Sequence, residues 1–251
     1  MNTQTLQQLR QLKLSGMADA LTRQLEQAGT YDNLAFIERM QLLIDEENLM
    51  RQNRKQQRLI RQARFKLKAT IQDIDYQHPR NITQTQIAQL AKADWIDKAH
   101  NLLISGPCGS GKTYLACAIG HNACLHEVSV RYYRLSRLLL ELTQAKADGS
   151  YHKQLNALAK IRLLIIDDWG LETLKPAQRN DLMEIMDDRH GATSTVIISQ
   201  LPTDQWYASI GDNTLADAIL DRLMHNAHRL TLKGESMRKR NGLLTQVEQI
   251  Q

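Results

Sequence analysis

From residue 101 onward, short apolar runs alternate with longer stretches in which apolar residues recur at helical spacing. The short runs predict β-strands, and the longer stretches predict helices that bury one face. Such an alternation is typical of a parallel sheet covered by helices on both sides, and it predicts an α/β fold. The strands are predicted at 101–105, 128–133, 161–166, 194–199 and 228–232, and the helices at 111–126, 135–147, 176–189 and 214–226.

The first fifty residues have a different pattern, in which apolar positions recur only at helical spacing. Small and polar pairs at 15–16 and 29–30 interrupt the pattern, so it predicts three helices. Asp32 is the predicted N-cap of the third helix, which the pattern continues through residues 51–68. This part of the chain is therefore expected to be a small all-helical domain.

Residues 69–100 separate these two patterns. Asp, Asn and Pro residues between positions 73 and 81 indicate irregular chain, and the stretch from Thr83 to Leu90 is helix-like. We place the domain junction in this region. The sequence therefore predicts an N-terminal helical domain at 1–68 and an α/β domain at 69–251.

The basic residues are unevenly distributed along the chain. The net charge is +5, but residues 51–68 contain eight Lys and Arg residues and no acid, so the rest of the chain carries more acids than bases. If this segment is helical, most of its cations share one side, and Leu59, Ile60, Ala63 and Leu67 occupy the other. Phe65 falls on the basic side.

A basic amphipathic helix of this kind suits the phosphate backbone of nucleic acid, which it would bind with strong salt dependence and little sequence preference. One alternative is a solvated helix face or a contact with a protein partner. A membrane surface is a third, which the lack of Trp and Phe on the apolar side disfavours. The predicted DNA contacts are Arg51, Arg54, Lys55, Arg58, Arg61, Arg64 and Lys68.

A glycine-rich segment follows the predicted strand 101–105 directly, and residues 106–113 have the spacing G-x-x-x-x-G-K-T. Its glycines allow successive N–H groups to face a polyphosphate at the start of the next helix. Lys112 would reach the terminal phosphates of ATP, and the Thr113 hydroxyl would be a ligand of Mg²⁺. The predicted nucleotide contacts are Gly106, Pro107, Cys108, Gly109, Ser110, Gly111, Lys112, Thr113 and Tyr114.

Two acids end a second apolar run, at 163–168. This run resembles a Walker B motif, a buried strand that delivers carboxylates to a nucleotide pocket. Asp167 would hold Mg²⁺ through its water shell, and Asp168 would orient or deprotonate the attacking water. The alternative is a core strand that ends in a solvated turn, which the upstream glycine-rich loop disfavours.

Several segments together resemble the IstB-like transposition helper ATPases. These are AAA+ proteins of bacterial insertion sequences, related to the DnaC helicase loaders and to replication initiators. The resemblance covers nearly the whole chain, and the segments that carry it are 12–17, 58–65, 106–113, 163–171, 198–202, 217–222 and 234–238.

The resemblance implies an AAA+ P-loop NTPase core that follows the N-terminal helical domain. Only 19 residues follow Leu232, so we expect no full C-terminal lid. It implies an ATPase that assembles on duplex DNA as an ATP-dependent homo-oligomer, captures or bends target DNA, and engages a transposase. A DnaC-like replicative helicase loader is the alternative. Asp168 stands where most AAA+ proteins have Glu, and the Asp-Asp form favours the IstB-like family over DnaC.

The resemblance also implies roles for four further residues. Ser199 and Gln200 end a strand that carries a γ-phosphate sensor in AAA+ proteins, although a capped strand end explains them nearly as well. Arg222 matches the position of an arginine finger that acts between subunits. The alternative for Arg222 is a solvated surface residue, because no acid lies three or four positions away in its helix. Arg238 resembles the second sensor arginine.

Other classes of protein fit the sequence less well. No apolar stretch approaches the roughly 18 to 20 residues that cross a bilayer, and the first residues lack the pattern of a signal peptide, so we expect a cytoplasmic protein without a membrane partner. A metabolic phosphotransferase would need a closing lid. The sequence offers only the short loop at 147–151 for that purpose.

Overall fold

The computed structural model describes residues 2–234 and Met237. The chain divides into two compact units, residues 1–58 and 59–251. This division falls before the junction that we predict from the sequence, because the end of a long helix belongs to the second unit.

The first unit consists of helices. They are α1 (Asn2–Gln11), α2 (Ser15–Glu26), α3 (Ala28–Tyr31) and α4 (Phe36–Ala63), the last of which extends into the second unit. The sequence predicts three helices here and misses the short α3. Asp32 is not the N-cap of α4, which begins four residues later at Phe36. Directly before that helix, the Ala35 N–H donates to Glu38 Oε2 at 2.7 Å.

A buried carboxylate holds α2 against α4. Glu47 Oε2 accepts the N–H groups of Gly16, at 2.7 Å, and of Met17, at 3.3 Å, so it caps the amino end of α2. A Cβ atom at Gly16 would lie 2.7 Å from the Glu47 Cα, so only glycine permits this approach. Burial by itself would raise the pKa of Glu47, but hydrogen bonds from Arg51, Met17 and Gly16 outweigh it and lower the pKa.

The predicted helix through residue 68 is wrong at its end, because α4 stops at Ala63. Leu59 and Ala63 are buried in the core of the second unit, and Arg64 then turns the chain with φ of 54°. Phe65 packs beside Gly120, where a Cβ atom would lie 2.7 Å from the Phe65 ring. Phe65 therefore contributes to the core, and the residues that follow Ala63 leave the face of α4.

The second unit contains a five-stranded parallel sheet. Its strands are β1 (Asn101–Ser105), β2 (Val130–Arg134), β3 (Leu163–Trp169), β4 (Ser194–Ser199) and β5 (Ala227–Thr231), in the order β2-β3-β4-β1-β5. Strand β4 lies between β1, which leads into the glycine-rich loop, and β3, which ends in the two acids. This inserted strand confirms the AAA+ arrangement that the resemblance implies.

Helices cover both faces of the sheet. One face carries α7 (Lys112–Leu125) together with α5 (Gln84–Ala91), α6 (Asp94–Asp97) and the last turn of α4. The other carries α8 (Leu135–Ala147), α9 (Tyr151–Ala159), α10 (Pro176–Arg189), α11 (Trp206–Ile210) and α12 (Asn213–Met224). Thr83 caps α5 through a capping box, which confirms the helix predicted there. Within the described residues, no helix is long and apolar enough to span a membrane.

Candidate nucleotide site

The glycine-rich loop connects the end of β1 to the start of α7. Gly106, Gly109 and Gly111 have φ of 146°, 80° and 92°, values that residues with a side chain rarely adopt. The residues after β5 support the loop from behind: a Cβ atom at Gly106 would lie 2.5 Å from the Leu232 carbonyl oxygen, and the Met237 N–H donates to the Gly109 carbonyl at 2.9 Å. Both the glycine spacing and this packing therefore fix the conformation of the loop.

The side chain of Lys112 bends back over the loop. Its Nζ donates to the carbonyl oxygens of Gly106 at 2.6 Å and of Pro107 at 2.7 Å, and the residue is only 7% exposed. Burial lowers the pKa of Lys112, although the charges of Asp167 and Asp168 oppose that shift. Phosphate oxygens would be stronger acceptors for this ammonium than the two carbonyl groups are.

Asp167 lies beside Thr113, as the predicted metal site requires. Its Oδ2 accepts the Thr113 hydroxyl at 2.9 Å and the Tyr132 hydroxyl at 2.6 Å. The carboxylate is 2% exposed, and burial together with this hydrogen bond raises the pKa of Tyr132. The structure therefore brings a hydroxyl and a carboxylate, the oxygen donors that Mg²⁺ prefers, to one edge of the loop.

Asp168 projects from a distortion in β3. The pairing register between β3 and β4 shifts between Ile166 and Trp169, and Asp168 takes the left-handed conformation with φ of 64°. Asp tolerates this conformation better than most residues with a side chain. Its Oδ2 accepts Arg134 Nε at 2.6 Å, and this hydrogen bond raises the pKa of Arg134. Arg134 is therefore the direct partner of this carboxylate.

Ser199 and Gln200 occupy the end of β4 in different ways. Ser199 is 1% exposed, and its hydroxyl donates to the Trp169 carbonyl at 2.8 Å and accepts the Leu201 N–H at 3.0 Å. These contacts are those of a capped strand end, which is the alternative to a phosphate sensor at this position. Gln200 is exposed, and both residues border the cleft described next.

The loop and the two acids border a cleft of about 740 Å³. Several residues that line it were not predicted as site residues: Lys66, Leu67, Asp73, Asp75, Arg80, Arg134, Ile198 and Met237. Ile198 and Met237 fall in segments that carry the family resemblance. The others depend on contacts between distant parts of the chain, so no local motif marks them.

Arg80 is the most buried of the unpredicted cleft residues that carry a charge. It is 5% exposed and donates to the carbonyl oxygens of Asp75 and, at 3.4 Å, of Ser110. Its Nη1 lies 2.7 Å from where a Cβ atom of Gly111 would be. Arg80 therefore packs directly against the glycine-rich loop.

The residues present fit a magnesium-bound nucleotide. Within the described part of the chain, the buried Ser110 Oγ and Arg80 Nε have no hydrogen-bond partner, and both lie at the loop. Buried polar atoms without partners are uncommon in folded proteins, and a polar ligand would satisfy them. The glycine cradle, the ammonium of Lys112 and the Thr113–Asp167 pair complete a set of donors and acceptors suited to phosphates and a cation.

Arg222 is placed away from this cleft. It lies in the last turn of α12, and its Nη2 and Nε lie 2.7 and 2.8 Å from Asp187 Oδ1 on α10. Its carbonyl accepts Asn101 Nδ2 at the start of β1, whereas the glycine-rich loop follows the end of that strand. Arg222 thus forms an ion pair between helices. It lies at the end of the sheet where β1 begins, opposite the end that borders its own cleft. Arg238 lies outside the described residues.

The predicted DNA contacts are exposed, but they do not form one helical face. Arg51 pairs with the buried Glu47 at 2.7 Å. Arg64 and Lys68 lie beyond the end of α4. The remaining predicted contacts are exposed along α4; they are Arg54, Lys55, Arg58 and Arg61.

Sequence comparisons extend over almost the whole chain. The family model described as IstB-like ATP binding protein matches residues 7–245. An insertion sequence ATP-binding protein of Sinorhizobium fredii, y4pL, is 45% identical over 235 residues, which cover 94% of this chain and 96% of the relative. The insertion sequence IS21 ATP-binding protein of Pseudomonas aeruginosa is 30% identical over 241 residues, which cover 94% and 91%.

Solved structures share the fold at low sequence identity. The DnaI structure has a TM-score of 0.56 at 19% identity and covers 71% of this chain and 92% of that chain. AMPPCP-bound DnaA from Aquifex aeolicus has a TM-score of 0.54 at 16% identity and covers 70% and 53%. A DnaC helicase loader has a TM-score of 0.51 at 19% identity and covers 62% and 93%. The second unit thus has the fold of an AAA+ P-loop core.

Proposed function

The chain belongs to the family of IstB-like ATP-binding proteins, and from that premise we propose that it is an ATPase that assembles on target duplex DNA and engages a transposase. The observation that carries the ATPase assignment is the contact of Thr113 with Asp167 at 2.9 Å, with Asp168 projecting from the adjacent strand distortion. This arrangement supports the proposal, because the pair would hold Mg²⁺ and Asp168 would act as the base beside one phosphate-binding loop.

The loop would hold the phosphates of ATP with its N–H groups and with Lys112, which exchanges two carbonyl acceptors for phosphate oxygens. Thr113 and Asp167 would hold Mg²⁺ at the outer phosphates. Magnesium, when bound, neutralises charge on the phosphates and favours attack by water.

Asp168 is the proposed base for hydrolysis. It accepts a hydrogen bond from Arg134 in the free chain, and it would accept a proton from water once it is released from that contact. Water would then form a bond to the terminal phosphorus as the bond to the leaving phosphate oxygen breaks. Gln200, exposed at the end of the neighbouring strand, is the proposed sensor of the terminal phosphate.

The exposed cations of α4 support a DNA surface. Arg54, Arg58 and Arg61 are exposed, and no acidic residue occurs from position 51 to 68 to neutralise them. A phosphate backbone is the natural counterpart of such a surface, and it needs no base-reading contacts. Binding without base readout would suit a protein that captures many target sequences.

The test is binding to random-sequence duplex DNA with and without ATP, in a filter or gel assay, for the wild-type chain and Lys112→Ala. We expect ATP-stimulated, salt-sensitive binding and assembly in the wild type. Lys112→Ala should lose the ATP stimulation because it lacks the phosphate cation, and its helical unit should stay folded. Binding that is independent of both ATP and salt, or no binding, would contradict the proposal.

A DnaC-like helicase loader is the second candidate, and the structural likeness to DnaC supports it at the level of the fold. In that case, the helical unit would dock on a helicase. Pull-down of the full chain against a replicative helicase and against the transposase of its insertion sequence separates the two functions. We expect retention by the transposase and not by the helicase.

A further inference from the structure

We propose that Lys66 is a phosphate ligand in the nucleotide cleft. The sequence groups Lys66 with the basic residues of 51–68, whose predicted partner is DNA. The structure separates it from them, because it borders the same cleft as Lys112 and Asp167. The inference rests on the proposed function, in that it requires ATP in this cleft.

The backbone carries Lys66 away from the basic face of α4. The helix ends at Ala63, and the left-handed conformation of Arg64 redirects the chain. Phe65 packs against Gly120 and Ile165, so the residue before Lys66 is anchored in the core. The backbone groups of Lys66 itself contact the buried thiol of Cys117 on α7, the helix that begins at the phosphate-binding loop.

The side chain of Lys66 reaches the acidic wall of the cleft. Its Nζ lies 3.9 Å from Asp167 Oδ2, which is an ion-pair distance and too long for a hydrogen bond. That oxygen already accepts the hydroxyl groups of Thr113 and Tyr132. The N–H donors of the ammonium are therefore available to a closer acceptor, such as a phosphate oxygen. Because 40% of the side chain is exposed, the ammonium can move toward it.

The arginines that border the cleft donate hydrogen bonds to protein groups, whereas Lys66 is only at ion-pair distance from Asp167. Arg80 donates to the carbonyls of Asp75 and Ser110, and Arg134 donates to Asp168. An additional cation beside Asp167 would repel a metal ion there unless negatively charged phosphates lay between the two. A triphosphate supplies those charges, and ADP supplies fewer, so Lys66 is expected to favour ATP over ADP.

This contact would connect nucleotide binding to α4. Only Arg64 and Phe65 separate Lys66 from the last residue of that helix. A phosphate that holds Lys66 would therefore order the segment that follows the proposed DNA surface.

The test measures the affinity of the full chain for ATP and ADP with Mg²⁺, by displacement of a fluorescent ATP analogue, in Lys66→Gln, Lys66→Arg and Lys153→Gln. Lys153 is an exposed lysine on α9 and serves as the matched control. We expect Lys66→Gln to weaken ATP binding about tenfold, the effect of losing one charge-assisted hydrogen bond in a partly exposed site, and to weaken ADP binding less. Lys66→Arg and Lys153→Gln should remain within about twofold of the wild type.

DNA binding in the absence of nucleotide tests the alternative, in which Lys66 contacts DNA. If Lys66 instead contacts DNA, Lys66→Gln will leave ATP affinity unchanged and reduce the slope of log affinity against log salt by about 0.9, which overturns the inference. A wild-type chain that does not bind ATP would contradict the proposed function and this inference together. Wild-type binding with an unaffected Lys66→Gln would contradict this inference alone.

Hydrogen exchange of the wild-type chain tests the same contact without a substitution. Addition of ATPγS with Mg²⁺ should slow exchange of the amides at 64–68 more than ADP does. Equal exchange with and without ATPγS would overturn the inference.

Discussion

Asp168 depends on its backbone as much as on its carboxylate. The register shift in β3 and the left-handed conformation at Asp168 turn this side chain out of the strand, while Asp167 stays buried beside Thr113. Two neighbouring acids thereby have different environments and different proposed roles. A substitution that tests the role of Asp168 must therefore preserve the backbone as well as the size of the side chain.

Asp168→Asn meets both requirements, since Asn also tolerates the left-handed conformation. We expect ATP binding within about threefold of wild type, because the carboxylate does not hold the phosphates, and hydrolysis reduced by a factor of about 10² to 10⁴ by the loss of the base. Nucleotide affinity and single-turnover hydrolysis measure the two effects. Normal hydrolysis in this variant would show that Asp168 is not the base.

Glu47 gives the helical unit a defined response to acid. Its pKa in the folded chain lies below the ordinary value of 4.5, so its contribution to stability is present above that pH and is lost as the pH falls through the folded value. We expect protection of the first α2 amides from hydrogen exchange to fall as the pH drops below the ordinary value of 4.5, after correction for intrinsic rates.

Glu47→Gln is the control for this measurement. It should lower the free energy of opening of α2 by about 1 to 2 kcal/mol at neutral pH and remove most of the acid response. An equal acid response in the variant would mean that other carboxylates are responsible.

At the scale of whole elements, the sequence predicts where the strands lie better than where the long helix α4 ends. All five strands of the sheet lie within three residues of their predicted bounds. For β1, β3 and β4 the reason is that buried parallel strands contain continuous apolar runs. The end of α4 was not predictable, since it depends on the packing of Phe65 against a glycine more than fifty residues away. Likewise, the motif spacing predicts Thr113 and Asp167, whereas Arg80 and Arg134 reach the site only through the tertiary fold.

The end of α4 also limits the proposed DNA surface that the helix can present. Arg54→Gln should reduce the slope of log DNA affinity against log salt by about 0.9, the value for one phosphate contact. Filter binding between about 50 and 200 mM salt measures this slope. Because Arg51 pairs with Glu47, Arg51→Gln should in addition weaken the protection of the α2 amides. Identical salt slopes for Arg54→Gln and the wild type would place this arginine outside the DNA surface.

At the scale of the whole molecule, Arg222 and the cleft lie at opposite ends of one sheet. Two different surfaces of this kind allow head-to-tail assembly, in which each subunit completes the site of its neighbour. The ion pair with Asp187 would hold the Arg222 guanidinium in position for such a contact. The hypothesis that Arg222 acts between subunits is therefore tested by mixing two different variants.

Arg222→Ala should bind ATP normally and fail to hydrolyse it, because the terminal phosphate loses a stabilising cation. Lys112→Ala should fail for lack of nucleotide. If the arginine acts between subunits, mixing the two inactive variants on DNA should restore part of the wild-type turnover, since some sites combine an intact cleft with an intact Arg222. A mixture as inactive as its components would contradict action between subunits.

The support of the phosphate-binding loop by residues after β5 has a consequence for biosynthesis. Gly106 rests against Leu232, and Gly109 accepts the N–H of Met237, so the loop leaves the ribosome long before the residues that hold its shape. Because domains emerge and fold from the amino terminus, the helical unit can form while the ATPase core is still unfinished. Nascent chains would thus expose the cations of the proposed DNA surface before they acquire the proposed nucleotide control.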